Sequence, residues 1–231
     1  MHPTATSNFQ QFIGTYRDDI AATGKKIRVV EIGSQDVNGS LRSIVPPEFD
    51  YIGVDFVAGK GVDVVLTNPY VLPFEENFAD VVISSSCFEH SEMFWLLFLE
   101  ILRISKPNGL FYLNAPSNGE FHRWPVDCWR FYPDSGRALV AWAKYNGLNT
   151  VLLESYTSTQ VGDQWNDFVA IFLKNSEHVS QYKNRILDVK TDFSNGLKYG
   201  SDDFLKYNVM PEDKLKMKVI TQLIDNQIKL V

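Results

Sequence analysis

Four short runs, IRVVEIG (27–33), YIGVDF (51–56), ADVVISSS (79–86) and LFYLNAPS (110–117), constrain this chain more than any other feature. Each is nearly continuous in apolar residues and ends on Gly, Asp, Pro or Ser, and VDVVL (62–66) is a weaker fifth run. Strands with apolar residues on both sides are buried on both faces, which is the condition of a parallel sheet covered by helices. EMFWLLFLEILRIS (92–105) is too long for one strand and reads as a covering helix, stopped by Lys106-Pro107-Asn108-Gly109. A short helix from Ser40, ended by Pro46-Pro47, a helix from Asp134 or Ser135 to Tyr145, and two last strands, TVLLESYT and DFVAIFLK, complete the pattern. The expected fold is α/β: a Rossmann-like, doubly wound, mostly parallel seven-stranded sheet with helices on both faces.

This reading divides the chain into an N-terminal helical arm (1–27, broken at Gly24), a main domain (28–174) and a C-terminal appendage (175–231). The appendage carries an amphipathic helix over 211–230, with Leu215, Val219, Leu223 and Ile228 at roughly helical spacing. It is expected to be a lid, a tail or a contact in a homodimer. Within the main domain, residues 118–134 (NGEFHRWPVDCWRFYPD) are aromatic and broken by proline, and they read as a long functional loop.

Composition narrows the function. With 22 basic against 28 acidic residues the net charge is -6, and no Lys/Arg run stands out, which argues against a nucleic-acid partner. No apolar stretch approaches the length of a membrane span. Cys87 and Cys128 fit neither a CxxC nor a Cys/His pattern, so free thiols in the cytoplasm are expected.

The first run shows what kind of ligand the sheet is built for. In an open parallel sheet ligands sit beyond the carboxyl ends of the strands, where the strand order reverses. A dinucleotide needs G-x-G-x-x-G so that backbone amides can hold a pyrophosphate. Here the corresponding run, Gly33-Ser34-Gln35-Asp36-Val37-Asn38, has one glycine and an added acid. A pyrophosphate is disfavoured, whereas a cationic ligand is not.

VVEIGS, YIGVDF, NPYVLPFEENFADVVISSS and SKPNGLFYLNAP, in this order from about Arg28 to Lys174, make the sequence resemble a class I S-adenosylmethionine (SAM)-dependent methyltransferase of the small-molecule group. SAM carries a sulfonium and an ammonium but no pyrophosphate. The resemblance implies that Glu31, Gly33, Ser34 and Gln35 follow its methionine end and ribose. It also implies that Asp55, 22 residues after Gly33, accepts the ribose hydroxyls beside Phe56. Asn68 stands where many members carry an aspartate against the adenine amino group. Ser84 and Ser85 fall beside the sulfonium, or act as small packing residues.

Transfer to an oxygen requires a base, for which histidine is suited. His90, in CFEHSE, and His122, in the long loop, both belong to the ligand edge, while Glu89 or Asp127 are alternatives. His2 and His178 are expected to be incidental. Trp124, Trp129, Phe131 and Tyr132 offer flat faces for an acceptor, Asp127 offers a carboxylate, and Arg123 and Arg130 offer cations. Asp163 and Asp167 have no ligand spacing, and no metal is expected. The acceptor implied is a small-molecule hydroxyl, such as a sugar of a polysaccharide precursor, a nucleotide sugar or glycan, or a secondary metabolite. The contrasting class is a non-catalytic SAM-fold protein binding a partner through the aromatic loop and C-terminal helix.

Overall fold

The computed structural model describes residues 2–22, 26–209 and 212–228, with the side chains of 212–216 left out. Gly24, Pro211, Leu230 and the side chain of Leu215 therefore lie outside the described residues.

In chain order the elements begin with helix α1 (Pro3–Ala21) and strands β1 (Arg28–Ile32), β2 (Asp50–Asp55), β3 (Val64–Val65) and β4 (Ala79–Ser85). Helix α2 (Phe94–Ile104), strand β5 (Ser105–Pro116) and helix α3 (Ser135–Tyr145) follow. Strands β6 (Val151–Ser158), β7 (Asp167–Leu173) and β8 (Phe193–Lys198) and helix α4 (Glu212–Ile224) complete the chain. The strands form one sheet in the order β3-β2-β1-β4-β5-β7-β6-β8. From β3 to β5 every pairing is parallel, β7 runs antiparallel to both β5 and β6, and β8 is antiparallel to β6. The chain moves outward from β1 to β3 and then returns to β4 on the other side of β1. That reversal opens a crevice at the carboxyl ends of β1 and β4.

Successive strand residues face opposite sides, so each apolar run feeds two cores. On one side Val30, Val82 and Phe111 pack with Phe98, Ile101 and Leu102 of α2 and with Leu139 and Ala143 of α3. On the other, Val29, Val81, Ile83 and Tyr112 meet Phe9, Phe12, Tyr16 and Ile20 of α1. The spacing of those four aromatic and aliphatic residues places them on one helical face. His2 caps the helix through its side chain, and proline stands at its start, where no amide donor is needed.

Two features differ from the sequence reading. The sheet has an eighth strand, at 193–198, in the segment read as an appendage. Buried Glu154 of β6 explains the attachment: it accepts the Tyr16 hydroxyl of α1 at 2.5 Å and the amides of Ile186 and Leu187 at 2.7 and 3.0 Å. One carboxylate thus ties the N-terminal helix and the approach to β8 to the same sheet, and the boundaries expected near residues 27 and 174 fall inside one packed unit. The VDVVL run also forms only a two-residue ladder, because Asp63 turns aside to accept the Gly53 amide at 2.7 Å.

Candidate active site

A cleft of about 400 Å³ opens over the carboxyl ends of β1, β2 and β4. Its first half is built by the β1 turn. Gly33 has φ +79°, and the Gly33 and Ser34 amides both donate to the Val54 carbonyl, at 2.9 and 3.1 Å. A Cβ on Gly33 would lie 2.6 Å from the Cys87 Cβ, so the β1 turn approaches the residue after β4 more closely than any side chain permits. The fold of this turn orients Asp55, whose carboxylate accepts the Gln35 amide at 3.2 Å and the Val57 amide at 3.1 Å. Glu31 is buried and accepts the Tyr51 hydroxyl; burial pushes its carboxyl up to about 7, against the pull of that hydrogen bond.

The second half is assembled from distant segments. Ser86, just past β4, adopts φ +51°, and a turn over Phe88–His90 follows. The long loop is pinned to this turn by the Cys128 and Trp129 amides, which donate to the Glu89 carbonyl at 2.8 and 3.3 Å. His90 and His122 meet edge to face, with ring centroids 5.0 Å apart. His90 Nδ1 lies 2.5 Å from the Val126 carbonyl and its Nε2 lies 3.7 Å from Glu89 Oε1. Burial holds His90 below the usual histidine range and lifts the Glu89 carboxyl to about 8. Asp127 accepts the His122 amide at 2.7 Å and is gripped by Arg130 at 2.6 and 2.9 Å, which holds its carboxyl at about 2.

Of the residues singled out in the sequence, Glu31, Gly33, Ser34, Gln35, Asp55, Phe56, Ser85, Glu89, His90, His122, Arg123 and Trp124 all line this one cleft. Trp124 spans its two halves, with Nε1 3.4 Å from Gln35 Oε1. The other candidates do not line it. Asn68 Oδ1 accepts the Tyr70 amide at 2.9 Å and closes its own turn, so its oxygen is already engaged. Ser84 is fully buried within β4. Asp127 and Arg130 satisfy each other and the loop backbone rather than an acceptor. Three of the four residues of the expected aromatic wall lie elsewhere: Trp129 lies against Phe94 and Trp95, Phe131 is in the core, and Tyr132 lines a separate hollow beside Asn195 and Phe204.

Several residues of the cleft escape the sequence reading, four of them beside its reactive groups. Ser86 and Cys87 follow β4 directly, and the strand-end rule alone could have found them. His2, expected to be incidental, reaches the cleft as the cap of α1 and lies 3.3 Å from Asp163. Trp165, on the β6–β7 loop, sits between His2 and His122, with centroids 5.8 and 4.9 Å away. No local signal marks it. Gly119 makes room for it, since a Cβ there would lie 1.9 Å from the indole ring.

The donor set fits a cationic nucleoside better than a dinucleotide. It presents two carboxylates at adjacent strand ends, together with the buried Ser34 and Ser86 hydroxyls, which have no hydrogen-bond partner among the described residues. An unpaired buried hydroxyl is uncommon and marks a place where a ligand atom can be received.

The comparisons agree with this geometry. Residues 16–113 match the model of the methyltransferase domain. No curated protein sequence matches the chain. The fold is similar to that of 1,6-didemethyltoxoflavin N1-methyltransferase from Burkholderia thailandensis, solved with 1,6-didemethyltoxoflavin and S-adenosylhomocysteine (TM-score 0.54, 14% identity, 75% of this chain and 80% of that one). It is also similar to that of a proposed sarcosine dimethylglycine methyltransferase from Galdieria sulphuraria (TM-score 0.53, 13% identity, 73% of this chain and 86% of that one). Residues 16–113 thus carry a methyltransferase domain, and the strand order and the cleft around it have the fold of S-adenosylmethionine-dependent methyltransferases.

Proposed function

We propose that the chain methylates a hydroxyl of a small, sugar-like acceptor, such as a nucleotide sugar or glycan. Asp55 and Glu31 seat SAM at the strand ends, and His90 and His122 face the acceptor. When bound, SAM supplies a methyl group already activated by its sulfonium. The chain's own work is then alignment, exclusion of water and removal of one proton. Alignment alone can supply roughly 7–11 kcal/mol. The acceptor oxygen forms the new C–O bond, the C–S electron pair goes to sulfur, and the hydroxyl proton goes to an imidazole. His122 or His90 is the receiving base, and Trp124 and Arg123 flank the acceptor.

The observation that carries this reading is the single cleft with carboxylates at one end and two imidazoles at the other. The Burkholderia enzyme is named for methylation at a nitrogen, so the preference for oxygen rests on the imidazoles and not on that likeness. The same reading places the chain in the cytoplasm; among the described residues no helix is long and apolar enough to cross a membrane. A homodimer through the C-terminal helix belongs to it as well: α4 exposes Met217, Val219, Ile220 and Ile224.

Calorimetric titration with SAM, S-adenosylhomocysteine and NAD in parallel tests the cofactor half, with binding of the first two and not the third expected. A screen of nucleotide sugars for S-adenosylhomocysteine release then tests the acceptor half. Methylation of amines but not hydroxyls would overturn the oxygen assignment.

A further inference from the structure

We infer that Glu89, His90 and His122 form a binding site for one divalent first-row transition-metal ion at the loop end of the cleft. One ligand atom from each of the three lies within 4.8 Å of the other two. They come from the turn after β4 and the loop after β5, which the Cys128 and Trp129 amides hold together.

Three observations favour an ion over a plain polar cluster. The first is spacing. His90 Nε2 and Glu89 Oε1, at 3.7 Å, are too far apart for a hydrogen bond, yet two donors each ~2.1 Å from one ion lie ~3–4 Å apart. The second is the orientation of the rings. His90 Nδ1 faces the Val126 carbonyl at 2.5 Å, and His122 Nδ1 faces the Glu120 carbonyl at 3.1 Å, with Asp127 Oδ2 at 3.4 Å. Arg130 Nη2, a donor, also lies 3.5 Å from His122 Nδ1, but the nearer Glu120 carbonyl and Asp127 favour a proton there; a proton on each Nδ1 leaves each Nε2 lone pair available. That is how outer partners orient metal-binding histidines. The third is Glu89 itself, which is 1% exposed and whose Oε2 has no hydrogen-bond partner among the described residues. Arg130, whose charge favours the Glu89 carboxylate from a distance, directs hydrogen bonds to both oxygens of Asp127.

Two imidazoles and one carboxylate suit zinc, manganese, iron or cobalt rather than calcium or magnesium, which prefer an all-oxygen shell. Three protein ligands leave positions open for acceptor oxygen. The role of the ion rests on the acceptor reading above: it would bind the acceptor hydroxyl and make it more acidic. C–O formation and C–S cleavage are unchanged, and the hydroxyl proton leaves to water in the open cleft instead of to an imidazole. Ion binding itself requires neither SAM nor an acceptor.

The test is titration of the chelator-treated full chain with Co²⁺ alone, followed by visible absorption and calorimetry, with SAM affinity and circular dichroism measured on each variant. One equivalent should bind. His122→Gln, on a loop, and Glu89→Gln should each weaken binding by at least ~100-fold, the upper end of what loss of an outer partner costs. His178→Gln should leave it unchanged. Absence of Co²⁺ binding, equal affinity in His122→Gln, or a thiolate-to-cobalt band abolished by Cys87→Ser would overturn the site. SAM binding without Co²⁺ binding would remove the ion alone, whereas Co²⁺ binding without SAM binding would remove the cofactor reading alone.

Discussion

The two halves of the cleft are built in opposite ways. The cofactor half comes from one local unit: Glu31 and Asp55 belong to adjacent parallel strands, Gly33 and Gln35 to the turn that follows the first of them, and backbone amides orient the Asp55 carboxylate. The other half gathers His2, Glu89, His90, His122 and Trp165 from both ends of the domain, and side chains hold it together. A backbone-built half tolerates change in its neighbours, whereas an assembled half depends on each member. Substitutions should therefore separate binding from turnover.

The largest expected effect lies in the assembled half. His122→Ala should lower turnover by ~10²–10⁴-fold, the usual worth of assisted proton loss, whether the ring takes the proton itself or holds an ion that acidifies the hydroxyl, while SAM affinity is retained. Initial rates and calorimetry on the same preparation check this. Parallel losses of turnover and SAM affinity would mean that the two halves are not separable. Gly33→Ala should fail in the reverse sense. It forces a side chain into the left-handed region against Cys87, with strain of ~1–3 kcal/mol before the overlap is counted. Thermal unfolding and SAM affinity should both suffer. Asp55→Ala is milder. It should weaken SAM binding by ~1–3 kcal/mol, with Co²⁺ binding unchanged; unaltered SAM affinity would take Asp55 out of the ribose site.

The same contrast decides what could be read in advance. β1, β2, β4 and β5 were legible because burial on both faces writes itself as short apolar runs, and Gly33 and Asp55 stand at the ends of such runs. Helix α3 begins and ends where Asp134 and Asn146 predict. β8 was not legible: FSNGLK is an edge strand with one left-handed residue, Asn195, and only three apolar or glycine positions buried, so neither periodicity nor composition marks it. In the site, Trp165 and His2 meet His122 only through tertiary packing, and nothing near them in sequence signals it. The aromatic loop misled for a related reason. Trp124 and Trp129 have equal claims in sequence, yet one faces the cleft and the other donates Nε1 to the Ser91 carbonyl at 2.9 Å beneath it.

The smallest expected effect concerns Glu31, the more deeply buried of the two carboxyl groups in the backbone-built half. Its folded-state value of about 7 lies above the 4.5 of a free glutamate, because burial disfavours the carboxylate more than Tyr51 and Arg42 favour it. A group raised on folding holds its proton more tightly in the folded chain. The stability it lends is fully present below pH ~4.5 and is lost as pH rises through about 7. Unfolding midpoints of the SAM-free chain should therefore fall between pH 5 and 8 by more than in Glu31→Gln, which has no charge to bury, and the two proteins should converge near pH 4.5. Other titrating groups act equally on both chains, so the difference between the two curves isolates this carboxyl. A constant difference across that range would mean that Glu31 is already ionised at low pH and held by its hydrogen bond. The cofactor half would then contain no buried penalty for SAM to relieve.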